Sequence, residues 1–182
     1  HAANFVEGAL VISFDGLSKN YLLAGYRCAW MVCTGNTKVA TDYIEGIKKI
    51  LSMRLCANVP SQYAVPVALA NAECGFLARV PDMQQRRDVV VKALNDIEGC
   101  YCHSPEGAFY LFPSWESEHC WWQSDADWVL QFLQRHKVLL APGSTFSQPD
   151  QRHFRLVLLP ELARLEEAVE ALSLFMGSIE KR

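Results

Sequence analysis

The chain has 182 residues, of which 51% are hydrophobic and 20% charged, and it carries a formal net charge of −3 at pH 7. This is ordinary globular usage, with length for one large domain or two small ones around a real core, and it excludes a disordered chain. The slight acidity offers no general attraction for nucleic acid or anionic membranes, and no apolar run reaches the ~20 residues that a membrane-spanning helix needs.

The first residues, HAANFVEGAL, contain no Met and no basic, apolar, small-residue signal pattern, and they run directly into the strand-like ALVISF. The chain is therefore expected to be a segment of a longer protein. Seven cysteines, an odd number with no CxxC pair, lie mostly in apolar surroundings. That usage points to reduced, packed thiols in a cytoplasmic compartment. Cys100, Cys102, His103, His119 and Cys120 are close in sequence, but their spacing matches no standard zinc site.

Residues 9–14 and 28–33 read as two short buried strands around a loop that carries Lys19 and Arg27. A helical pattern follows over 36–56, through Val39, Tyr43, Ile47, Ile50 and Leu51, with Asn36 as its expected cap. A second helix is expected over 61–73. Pro81 and Asp82 open a third, whose apolar positions Met83, Val90, Leu94 and Ile97 keep a 3.6-residue period and which Gly99 stops. SPEGAFYLFPSW then reads as a turn and an aromatic strand. Ser124 with Asp127 starts a helix bearing Trp128, Val129, Phe132 and Leu133. KVLLAPGSTF reads as a strand running into a Pro-Gly turn and HFRLVLLP as another strand, and Leu162, Leu165, Val169, Leu172, Met176 and Ile179 mark a long amphipathic helix. The order predicts an α/β chain: the tail of a mostly parallel sheet domain over 1–80, then a smaller α/β domain over 81–182.

Two positions carry the clearest chemistry. A lysine amine becomes nucleophilic when burial or a neighbouring cation lowers its pKa, and an arginine can grip a phosphate with two parallel hydrogen bonds. Lys19 and Arg27 lie eight residues apart around glycines, so together they suit an anionic ligand, or else form a solvated surface loop. Arg155 sits in HFRLVLL, where strand alternation separates His153, Arg155 and Val157 from Phe154, Leu156 and Leu158. A guanidinium on a mostly buried strand needs an anionic partner, and no acid is adjacent in sequence.

GLSKNYLLAGYRCAWM resembles the lysine motif of fold-type I, class I aminotransferases, in which S-K is followed eight residues later by the arginine of G-x-R. The likeness continues in order through SMRLCANVPSQYA, PEGAFYLFP, VLLAPGSTF and FRLVLLP, and is strongest to the alanine (glutamate–pyruvate) aminotransferases. The resemblance implies the C-terminal half only of such an enzyme: residues 1–80 as the C-terminal part of the large cofactor-binding domain and residues 81–182 as the small domain. It implies pyridoxal 5'-phosphate as cofactor, carried by Lys19 and held at its phosphate by Arg27. Gly16 occupies a position where the wider family often has Ser and alanine-type members share the glycine. Ser18 either supplies the hydroxyl or caps its own turn. Arg155 is implied to bind the substrate α-carboxylate, and Asn58, in N-x-P, to border the substrate or simply to precede a turn. Tyr110 reads as core.

The implied reaction is transamination between an amino acid, alanine first, and a 2-oxo acid, 2-oxoglutarate or pyruvate, in a cytoplasmic homodimer. The family's acid at the pyridine nitrogen and its ring-stacking aromatic precede the lysine, beyond these residues, so the isolated chain is expected to be inactive. A related lyase or decarboxylase, and an aminotransferase-like sensor domain of a transcription regulator, are the alternatives.

Overall fold

The computed structural model describes residues 5–71, 77–116, 124–150 and 152–178. The chain divides into two compact units, His1–Arg79 and Val80–Arg182.

The first unit is built on a hairpin. Strand β1 (Leu10–Gly16) pairs antiparallel with β2 (Ala29–Gly35), in register from Leu10 opposite Gly35 to Gly16 opposite Ala29. Between them lie a single helical turn, α1 (Leu17–Asn20), and a 3-10 turn, Ala24–Tyr26. The expectation of a mostly parallel sheet is corrected here: every strand pairing among the described residues is antiparallel. Parallel pairing requires a crossover that returns the chain to the starting end of the first strand. Here β2 departs from the end where β1 finishes, so the pair can only run antiparallel. Periodicity reports which residues are buried, not which strand lies alongside.

Helix α2 (Thr41–Met53) follows a 3-10 turn over Thr37–Ala40. Asn36 precedes that turn and its side chain makes no capping bond, so the helix proper starts later than expected. Tyr43, Ile47, Ile50 and Leu51 from α2 line a groove of about 610 Å³ together with Phe14 and Trp30 of the hairpin. Helix α3 (Val59–Ala70) is capped by Asn58, whose Oδ1 accepts the Ser61 N–H at 3.3 Å, and Pro60 occupies its first turn, where no amide hydrogen is needed.

The second unit packs three helices against short strands. Helix α4 (Val80–Asn95) buries Met83, Val90 and Leu94, and on the same face Arg86. Arg86 is tolerated there because its polar atoms are satisfied. Asp82 accepts from its Nε and Nη2 at 3.0 and 2.7 Å, and the Leu159 and Pro160 carbonyls accept from Nη1. Strand β3 (Cys100–Tyr101) pairs with β5 (Ser114–Trp115). A second sheet has the order β4 (Tyr110–Leu111), β7 (Phe154–Val157), β6 (Ala141–Pro142). The stretch KVLLAPGSTF, expected as a strand running into a Pro-Gly turn, contributes the short β6 to the ladder and turns at Pro142-Gly143 into a 3-10 turn, Gly143–Phe146.

Helix α5 (Asp125–His136) opens as its sequence requires, the Ser124 Oγ accepting the Asp127 N–H at 3.2 Å. Helix α6 (Leu162–Gly177) closes the unit, burying Leu165, Val169, Leu172 and Phe175. Trp128 is fully buried, its ring 4.4 Å from that of Trp115 and 5.1 Å from that of Phe154. Such aromatic burial contributes on the order of 1.5–3 kcal/mol per side chain and is the main apolar support beneath β7. Trp121, Trp122, His119 and Cys120 lie outside the described residues. No helix among the described residues is long and apolar enough to cross a membrane.

Candidate active site

The β1–β2 connection is held by its own backbone. Leu17, completely buried, donates its N–H to the Cys28 carbonyl at 3.0 Å and accepts the Leu23 N–H at 2.9 Å. Asp15 tightens the entrance, its Oδ1 accepting from the Gly16 N–H at 2.7 Å and from the Asn20 amide at 2.9 Å. Lys19 follows on α1, with an exposed side chain, and its carbonyl accepts the Leu22 N–H at 3.3 Å. Ser18 beside it is half-buried.

Arg27 is exposed and has φ of 53°, in the left-handed region, and its Nη1 donates to the Ala24 carbonyl at 3.2 Å. A non-glycine residue in that region costs of order 1 kcal/mol, and such strain persists where the surroundings impose it, often at functional sites. Gly16 is required by close approach. A Cβ there would lie 2.9 Å from the Ala29 Cβ and 3.0 Å from the Cys28 carbonyl oxygen. That explains why no serine stands at this position: the hairpin closes over the space that its side chain would occupy.

These residues fit pyridoxal phosphate by the chemistry of their donors. One loop presents an amine able to form an imine and a guanidinium able to take a phosphate, with the backbone bare of side chain at Gly16. Asn58 is also in the first unit, exposed, with its carbonyl oxygen engaged as the α3 cap and its amide nitrogen available as a donor.

Arg155 lies in the second unit, on the central strand of the β4–β7–β6 sheet. Burial alternates along β7 as the sequence predicts: Phe154 and Leu156 buried, Arg155 and Val157 half-buried. No carboxylate pairs with Arg155 among the described residues, and its Nε is buried without a hydrogen-bond partner. Its guanidinium carbon instead lies 4.7 Å from the Tyr110 ring centre and 4.5 Å from that of Phe146. Tyr110 sits opposite Val157 on β4, one diagonal step from Arg155, which brings its ring within reach. Phe146 arrives on the 3-10 turn after β6, and that turn can lie so close to β7 because residue 143 is glycine: a Cβ there would be 2.6 Å from the His153 Cβ. Arg155 also lines a groove of about 770 Å³ bordered by α6 and the end of α5.

Sequence reasoning missed Tyr110 and Phe146 as partners of Arg155. The available signal was an arginine on a buried strand with no acid nearby, which can equally be met by aromatic faces.

Cys100 and Cys102 are free thiols on and beside β3. Burial, and for Cys100 secondarily the neighbouring Cys102, pushes them up to about 12 and about 11. Among the described residues no group of three or more His, Cys, Asp or Glu side chains could hold a metal ion.

The profile of the aminotransferase class I and II family matches residues 2–172. The chain belongs to that family. Over 170 residues it is 40% identical to the glutamate-pyruvate aminotransferase AlaA of Escherichia coli K12, a match covering 92% of this chain and 42% of that one. The fold matches a crystal structure of an Escherichia coli aminotransferase with a TM-score of 0.89 and 36% identity, over 100% of this chain and 46% of the other. A Pyrococcus furiosus alanine aminotransferase matches with a TM-score of 0.84 and 33% identity, over 98% and 45%.

The expectation of a C-terminal half only, in recognition and in fold, is corrected by these matches. Family and α/β fold extend essentially end to end along this chain. The chain spans somewhat under half the length of the relatives that it matches.

Proposed function

We propose that the protein carrying this chain is a pyridoxal-phosphate-dependent aminotransferase, exchanging an amino group between an amino acid, alanine in the first instance, and a 2-oxo acid such as 2-oxoglutarate or pyruvate. The observation that carries this reading is the β1–β2 loop with Lys19 and Arg27 in a chain that belongs to this family. When bound, the cofactor would supply an electron sink for the electron pair left by the substrate's Cα proton.

The chain's own residues would do the rest. Lys19 would hold the cofactor through its amine, and the same amine, when free, would take the Cα proton and return a proton as general acid. Arg27 neutralises the phosphate, with the Ser18 hydroxyl as a second donor. Arg155 takes the substrate carboxylate with its guanidinium. Asn58 is a separate substrate-binding candidate, through its amide N–H. The first unit serves as the cofactor-binding part and the second as the carboxylate-binding part. A cytoplasmic location and a homodimeric state are part of the same reading.

Pyruvate and glutamate formed from alanine and 2-oxoglutarate, with pyridoxal phosphate present, is the expected result. Release of ammonia or carbon dioxide instead would assign the protein to the lyases or decarboxylases, and cofactor binding without turnover to a sensor role.

A further inference from the structure

Asp125 is a carboxylate with 1% exposure at the first position of α5. Its Oδ2 accepts the Ser144 N–H at 2.6 Å, and its Oδ1 is buried with no hydrogen-bond partner. A buried carboxylate is costly, and the first turn of a helix offsets only part of that cost. What this one holds is the 3-10 turn Gly143–Phe146. The same turn is fastened at its start by the Gly143 N–H to the His153 carbonyl at 2.8 Å, and ends at Ser147, with φ of 61° and its N–H on Ser144 at 3.2 Å. Two residues after Ser144, Phe146 puts its ring 4.5 Å from the Arg155 guanidinium. Phe146 is 44% exposed, with the Phe112 ring edge-on at 6.0 Å, so packing holds it on one side only and the turn shares in fixing it.

We propose that Asp125 is a positioning residue for Arg155, acting through Ser144 and Phe146 to set the plane in which the guanidinium meets a carboxylate. A bidentate pair is directional, so a guanidinium free to swing forfeits part of its affinity although its charge is unchanged. The inference rests on the reading of Arg155 as the carboxylate-binding residue.

The test uses 2-oxoglutarate as the probe on the cofactor-loaded protein, with its dissociation constant read by calorimetry and KM and kcat read separately. Phe146→Leu should weaken 2-oxoglutarate roughly 3- to 30-fold, the range that loss of a cation–π contact allows, with the change falling on KM rather than kcat. Phe146→Tyr should restore it. Asp125→Asn should weaken it in the same direction. The double variant should be no worse than Phe146→Leu alone, because both changes break one line of action. Asp125→Asn keeps a neutral acceptor of the same shape, and Phe146→Leu does not touch the helix cap, so loss of folding in Asp125→Ala would not remove the test. Unchanged affinity in either single variant, or additive losses in the double, overturns the inference. If Arg155→Gln itself leaves affinity unchanged, the reading beneath it fails as well; if only Arg155→Gln weakens binding, this inference alone fails.

Discussion

The guanidinium of Arg155 lies 4.5 Å from the ring centre of Phe146, and the Tyr110 ring stands 4.7 Å from the same carbon. A cation over two aromatic rings is attracted without being neutralised, because the ring quadrupole carries no net charge. An acid in the same place would have used up the donors. The two aromatic contacts leave Arg155 without a paired carboxylate among the described residues, as its proposed carboxylate-binding role requires.

From this follows a division between the two arginines. Arg155→Ala should leave cofactor retention intact and raise the apparent KM for amino and 2-oxo acids. Arg27→Ala should weaken cofactor retention by the loss of a charge-assisted hydrogen bond, on the order of 1.5–3 kcal/mol. Cofactor content from absorbance, set beside steady-state kinetics, separates them. Equal loss of cofactor in both variants would show that the division is wrong.

Lys19 should be the site of attachment. Borohydride reduction of the cofactor-loaded protein, followed by digestion and mass spectrometry, is expected to find the pyridoxyl group on the peptide containing Lys19. A label on Lys38, Lys48 or Lys49 instead would sink the assignment.

Gly16→Ser tests the close approach of the hairpin. The added side chain meets Ala29 at 2.9 Å and the Cys28 carbonyl at 3.0 Å. Overpacking of this kind costs about 1–3 kcal/mol, so the denaturation midpoint should fall. A variant as stable as the parent, with tighter cofactor retention, would mean that the hairpin yields and accepts a hydroxyl.

The buried thiols predict an alkaline limit. Cys100 and Cys102 are raised from the ordinary thiol range near 9 to about 12 and about 11, chiefly by burial. The unfolded chain therefore loses these protons first as pH rises. Their contribution to stability is fully present below pH 9, falls above it, and is spent once pH passes the folded values. Unfolding midpoints measured from pH 8 upward should decline across that window, and Cys100→Ala with Cys102→Ala should flatten the decline. At pH 8, iodoacetamide should label the exposed Cys56 well before either buried thiol.

What could be read from the sequence follows how local the information is. The placement of Lys19 and Arg27 on one loop was legible because two short apolar runs bracket it, and the α5 start because Ser124 and Asp127 form a local cap. The direction of β2 was not, since pairing depends on where the chain returns rather than on periodicity. Asn36 looked like a cap yet makes no capping bond, whereas Asn58, read as a possible turn residue, caps α3. Tyr110 and Phe146 meet Arg155 from two separate strands' ends, and nothing in either local pattern announces that meeting.

The backbone at Arg27, with φ of 53°, sets two selective pressures against each other at one codon. Glycine or asparagine would occupy that conformation with less strain and raise the melting temperature, yet neither offers a guanidinium. A thermostability screen of this chain that did not also monitor cofactor content would thus enrich Arg27→Gly and Arg27→Asn, and, under the role proposed for Arg27, its best-scoring clones would be the ones least able to hold a phosphate.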